Sequence, residues 1–171
     1  MKILNFIESI RKYSPTQEVL MSRGYSESFS KNIIDKQFNL QEVNNRKEVS
    51  SFLQDFLQNY EVESFEINKI SFSDILEEEI NDYTTIAGIE GGYLVIKEND
   101  PAIYILFSDD EDNVELFCSN EDEFFELLIV FAEFSSKVFK GEINPFDEEV
   151  KSSYLEKCNK INPLTDYDMF L

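Results

Sequence analysis

The chain has 171 residues, neither histidine nor tryptophan, and 35 Asp/Glu against 15 Lys/Arg, a formal net charge of −20. Without histidine there is no His-based triad, His general base or His metal site, and so acidic a body repels nucleic acid and anionic membrane while attracting basic partners. The length suits one domain with a sizeable core, made aromatic by 16 Phe and 8 Tyr.

Helical spacing dominates the first 60 residues. Ile3, Phe6, Ile7 and Ile10 predict an amphipathic helix over residues 3–13. After Ser14-Pro15, a short helix over 16–21 stops at Gly24, and Ser26 caps a third that carries Phe29, Ile33, Ile34 and Phe38. Residues 39–45 read as a connection. Asn45 then opens a fourth helix, with Val49, Phe52, Leu53, Phe56 and Leu57 on one stripe. The character changes at Tyr60. Val62, Phe65, Ile67, Ile70 and Phe72 alternate loosely, as in one strand or two short ones, and residues 73–82 (SDILEEEIND) suggest a short helix or an ordered loop. Strands are predicted over 83–89, 93–97, 102–107 and 114–118, with turns at Gly88, Gly91 and Gly92 and at Asn99-Asp100-Pro101. Connections this short favour antiparallel neighbours. Residues 108–113 (SDDEDN) form a hairpin turn whose tip carries four carboxylates. Asn120 and Glu123 have capping-box spacing and open a long helix over 120–138, apolar at almost every position from Phe124 to Phe134 and so buried on more than one face. A loop, a last helix over 147–157 and a loose tail from Asn159 complete the chain. The fold class is α+β: a mostly antiparallel sheet flanked by N-terminal helices and one long buried C-terminal helix. Residues 1–60 (helices), 61–140 (sheet and long helix) and 141–171 (loop, short helix, tail) make one compact domain.

The charge is unevenly placed. Residues 1–60 carry 8 Lys/Arg and 7 Asp/Glu, whereas 61–171 carry 7 and 28. Between Glu98 and Ser136 there are 12 acidic residues and no basic one. Asp109, Asp110, Glu111 and Asp112 at the hairpin tip, with Glu115 and the helix-start residues Glu121 and Asp122, are therefore expected to form one acidic partner-binding surface. Self-repulsion among so many like charges costs stability, which suggests a compensating use; a solvated turn kept for solubility is the plain alternative. Other chemistry is thin. Cys118 and Cys158 have no metal or redox spacing, and Cys118 reads as a small buried hydrophobe. No phosphate-binding loop is present, and GIEGG (88–92) lacks the dinucleotide pattern. A calcium loop counted from Asp110 needs glycine at position 115, where Glu115 stands. No catalytic residue, metal or cofactor is expected. Glu8 and Arg11 interrupt the N-terminal apolar run too early for a signal peptide, and no apolar window spans a membrane, so the expected location is cytoplasmic.

Residues 83–139 resemble the SUKH superfamily, bacterial immunity proteins related to the Smi/Knr regulators. The family's C-terminal half runs as a strand ending in a glycine turn, a YLVI-type strand, a gap, a further short strand, then the start of a long helix. Ile86-Ala87-Gly88, Gly92-Tyr93-Leu94-Val95-Ile96, Ala102-Ile103-Tyr104 and Ser119 through Phe124-Phe125-Glu126-Leu127-Leu128 stand in those places. FEINKISF (65–72) sits where the family often has a strand. The match covers about a third of the chain, and the tryptophan common in the family is absent, marking a divergent member. The resemblance implies a non-enzymatic α+β module that binds and neutralises a cognate toxin protein, typically the nuclease or other effector domain of a polymorphic toxin. Combined with the charge, it points to a basic effector domain as partner, with neither nucleic acid nor membrane. A regulatory or scaffolding adaptor of the same fold and a carboxylate-metal enzyme are the rival expectations.

Overall fold

The computed structural model describes residues 3–72, 79, 80 and 82–171, so most of the SDILEEEIND segment lies outside the described residues. Four helices come first. α1 (Ile3–Tyr13) buries Ile3, Phe6, Ile7 and Ile10 on one stripe. α2 (Gln17–Ser22) is capped by the Thr16 hydroxyl, and α3 (Glu27–Gln37) by that of Ser26. Between them Gly24 adopts φ +93°, which a side chain would strain. α4 (Phe52–Asn59) starts later than the expected Asn45. Its cap is Ser51, whose hydroxyl accepts the Gln54 N–H at 3.1 Å. Residues 45–50 are held as a loop instead. The fully buried Asn59 side chain accepts the Lys47 N–H at 2.6 Å and donates to the Lys47 carbonyl at 3.0 Å. Arg46 spans Glu42 and Asp55 at 2.5 and 2.8 Å.

Seven strands follow among the described residues: β1 (Glu66–Ile67), β2 (Ile70–Ser71), β3 (Glu79–Ile80), β4 (Tyr83–Ile89), β5 (Gly92–Lys97), β6 (Ile103–Phe107) and β7 (Asp110–Cys118). They pair antiparallel in the order β1-β2-β4-β5-β6-β7, with β3 also beside β4. The last hairpin differs from the six-residue turn expected at 108–113. Its turn is Ser108-Asp109, Phe107 pairs with Asp110, and the ladder resumes only at Leu106 and Val114. Residues 111–113 are thus a bulge within β7, a common device at sheet edges.

α5 (Glu121–Lys140) is the axis of the core. Phe124, Leu128 and Phe131 are each fully buried. The Asn120 side chain accepts the Glu123 N–H at 3.0 Å, and Glu123 reaches back to the Ser119 N–H at 2.8 Å, one residue earlier than a standard capping box. At the far end Gly141, at φ +70°, lets the Glu142 N–H bond back to the Lys137 carbonyl. A Cβ there would also strike the Arg23 guanidinium. Phe125 ties the N-terminal helices to α5, with ring centroids 3.8 Å from Phe52, 4.8 Å from Phe6 and 5.4 Å from Phe56.

α6 (Glu148–Ile161) packs back on α5, with Tyr154 edge-on to Phe134 at 5.1 Å. The tail is not loose. The helix runs past the expected end at 157, and Tyr167, Phe170 and Leu171 are buried. The Tyr167 hydroxyl donates to the Phe117 carbonyl at 2.6 Å, the Thr165 hydroxyl donates to the Leu116 carbonyl at 2.6 Å, and Asn68 donates to the Phe170 carbonyl. The apolar tail residues seal the β7 side of the core, where leaving them in water would expose two large aromatic rings. A single hydrophobic cluster runs through all three parts of the chain, from Ile3 to Leu171.

Candidate interaction surface

Strand register sorts the side chains onto two faces, because directly paired residues of an antiparallel ladder share one. One face carries Ala87, Leu94 and Ile105 in a row and Thr84, Ile96 and Ile103 in the next. Leu94, Ile103 and Ile105 are buried in the main core. The other face carries Gly88, Tyr93, Leu106 and Val114 in one row, Thr85, Val95, Tyr104 and Leu116 in a second, and Tyr83 beside Lys97 in a third. Among the described residues the main core includes none of its apolar or aromatic side chains. Val95 and Leu106 are buried, and Tyr83, Tyr93, Tyr104, Val114 and Leu116 are half-buried. Tyr83 and Tyr104 meet edge to face at 5.8 Å, and the Lys97 ammonium lies over the Tyr83 ring, 5.3 Å from its centroid.

Acidic turns flank this outer face at both ends. Glu90 and Asp109 are exposed in the β4–β5 and β6–β7 turns, which the Ser108 N–H joins by bonding to the Gly91 carbonyl at 3.0 Å. Asp82, Glu98 and Asp100 lie at the opposite end. Asp100 accepts the Ala102 N–H at 3.0 Å and the Tyr104 hydroxyl at 2.8 Å. Those bonds, the backbone one foremost, hold its carboxyl below the ordinary range, so it stays charged.

The seven carboxylates expected on one acidic surface are divided by the fold. Asp109 occupies the turn, and Asp110, Glu111 and Asp112 follow in β7. Glu115 is exposed but pairs with Ile105, and so shares the helix-side face at the sheet edge. Glu121 and Asp122 start α5 beyond the other end of β7, roughly 20–25 Å from the turn at the usual rise per strand residue. Glu121 is also committed internally, accepting the Phe52 and Leu53 N–H groups of α4 at 2.9 and 3.1 Å. Glu123 adds the Asn162 amide at 3.2 Å to its capping bonds. The turns also carry Asp82, Glu90, Glu98 and Asp100, which a count of charge runs does not single out. The alternation of β5 and β6 places Tyr93 and Tyr104 on one face, a signal that charge runs do not carry.

Little else is arranged for chemistry. Burial pushes the Cys158 thiol up to about 12 and the Cys118 thiol higher still, so neither is a ready nucleophile at neutral pH. Among the described residues no three His, Cys, Asp or Glu side chains converge as metal ligands; the side chains of Asp110, Glu111 and Asp112 lie outside that description. A cleft of about 610 Å³ opens beside Leu57, Tyr60 and Glu61, and the Tyr60 hydroxyl near it is buried without a partner. No helix among the described residues is long and apolar enough to cross a membrane. No protein-family model, curated protein or solved structure matches the chain.

Proposed function

We propose that this chain is a cytoplasmic, non-enzymatic immunity or antitoxin protein of SUKH-like type. It binds a cognate, basic toxin domain and occupies the place where that domain would hold an anionic substrate such as nucleic acid. The observation that carries the reading is the distribution of charge. Within residues 83–136 the one basic side chain, Lys97, is drawn over a tyrosine ring, while acidic turns stand in solvent at both ends of the sheet. Three of the five lysines of α5 and α6 are turned to internal use: Lys137 and Lys157 bind Glu133, and Lys151 binds Asp168. The field left over is negative, and it accelerates encounter with a cation-rich surface. The order of strands and long helix, with an α+β architecture, agrees with the resemblance of residues 83–139 and supports it.

The test begins with the coding neighbourhood: a secreted protein encoded beside this chain and ending in a short basic domain supplies the candidate partner, and binding to that domain is then measured. A stoichiometric complex should form, extinguish the effector's activity, and associate more slowly as salt rises. Association indifferent to salt, or a complex that leaves the effector active, overturns the proposal.

A further inference from the structure

We infer that two exposed apolar side chains at the ends of α6, Phe146 and Leu164, are a pair of anchors that seat in two apolar pockets of one protein partner. The inference rests on the reading above that the partner is a basic protein domain. It adds where on this chain that domain is held, as distinct from the charge that draws it in.

The sequence places the same three-residue pattern on either side of α6, Asn144-Pro145-Phe146 before it and Asn162-Pro163-Leu164 after it. In both, the asparagine side chain accepts the N–H of the third residue, at 3.1 Å from Phe146 and 2.8 Å from Leu164. Asparagine followed by proline favours such a closed turn. The third residue stands outward: Phe146 is 88% exposed and Leu164 74%, the two highest values among the large apolar residues described. A single apolar side chain in solvent is ordinary. Two of them, presented by one repeated device where a polar residue would complete the turn equally well, are not required by the fold.

Both turns are fixed in place. Asn162 is buried and donates to Glu123 at 3.2 Å, and the Thr165 hydroxyl, next after Leu164, donates to the Leu116 carbonyl at 2.6 Å. At the other end the Asn144 carbonyl accepts the Asp147 N–H at 3.1 Å, Asp147 caps α6, and Ile143 and Val150 pack against the core on either side. An apolar group held in position beforehand loses little conformational freedom on docking, which favours it as an interface anchor. The 14 residues of α6 set the turns roughly 20 Å apart at helical rise. That span fits within the patch of about 800 Å² that each partner buries in a standard interface. The surroundings fix the partner's charge. Exposed Glu142, Glu148 and Glu149 flank Phe146 in the chain, and exposed Asp166 follows Leu164. The complementary pockets therefore carry cationic rims, and a second copy of this chain is repelled.

The candidate basic domain is the probe, with association and dissociation rates measured over a range of salt. Phe146→Ala should weaken binding roughly thirtyfold and Leu164→Ala roughly fivefold, with the double variant near the product because the sites are too far apart to couple. The loss should fall on the dissociation rate, and the association rate should keep its dependence on salt, since no charge is altered. Melting temperatures should stay at the native value. Leu4→Ala, at an apolar position 60% exposed on α1, should bind like the native chain. Native-like binding by the double variant, with association still slowed by salt, overturns the anchors and leaves the basic reading intact. If no such domain is encoded beside the chain, or the native chain does not bind it, the basic reading falls and the anchors with it. Dimerisation of the free chain that the same substitutions abolish gives the anchors to a second copy and overturns their assignment to a basic partner. Should an alanine variant not fold, amide shifts of the native chain on complex formation decide, and they must be largest around Phe146 and Leu164.

Discussion

The β6–β7 hairpin and α5 are the two halves of one acidic stretch, and Glu121, Glu123 and Glu133 of α5 are used in a way that the hairpin carboxylates Asp109 and Glu115 are not. On α5, Glu121 caps α4, Glu123 closes its own helix start and holds Asn162, and Glu133 binds two lysines and Tyr154. On the hairpin, Asp109 and Glu115 are exposed and their carboxylates make no hydrogen bond or ion pair among the described residues. A charge count treats these groups alike. Their contacts divide them into groups that hold the fold together and groups that stand in solvent, and the proposed function assigns only the latter to recognition.

The comparison breaks first if α5 is not the core. Phe131→Ala should cost about 3–5 kcal/mol by denaturant unfolding, since a fully buried ring leaves a cavity that its neighbours cannot fill. A loss under about 1 kcal/mol, as surface sites give, would remove α5 from its central role. The α5 carboxylates come next. Glu123→Ala orphans the Ser119 N–H and the Asn162 amide, for about 1–3 kcal/mol. Glu121→Ala exposes the start of α4, for about 0.5–2 kcal/mol.

Glu133 gives the comparison a pH signature. Burial opposes its charge, but hydrogen bonds from Lys137 and Lys157 outweigh that and lower its folded-state pKa from the ordinary 4.5. A depressed carboxylate contributes stability above its unfolded pKa and loses it as pH falls through the folded value. The stability gap between the native chain and Glu133→Gln should therefore be steady above about pH 4.5 and close below it. A gap that widens on acidification would contradict the assignment. Calcium should do less again. With the turn reduced to Ser108-Asp109, millimolar calcium is expected to leave the melting temperature unchanged, and a saturable rise would reveal a bound ion.

Patterns of local origin were legible in the sequence. The caps Ser26 and Asn120, the four central strands and the buried stripe of α5 all follow from spacing and turn chemistry within a few residues. Ser51 was legible too, since Ser51 and Gln54 have cap spacing, but Val49 extended the apolar stripe and drew the helix start back to Asn45. What stayed hidden depends on distant partners. Glu121 meets α4 across 69 positions, and Asn68 meets the tail across 102. The division of the acidic surface is of the same kind. Adjacent charges in sequence say nothing of which strand face they take, and a bulge of three residues in β7 alters that face without altering composition.

The smallest effect on stability should accompany the clearest effect on binding. Asp109→Asn together with Glu90→Gln and Glu98→Gln removes three exposed charges from the turns, at positions whose side chains support no described contact. Stability should move within about 0.5 kcal/mol, and upward if anything, because like-charge repulsion is relieved. Association with a cationic partner should nevertheless slow, and its dependence on salt should flatten, since rim charges act mainly through the encounter rate. Neutralising Glu8, Glu18 and Glu27 is the control, because residues 1–60 are nearly balanced in charge and these carboxylates lie on α1, α2 and α3. Equal slowing by both sets would mean that only total charge matters, and the distinction between the carboxylates of α5 and those of the turns would then have no bearing on recognition.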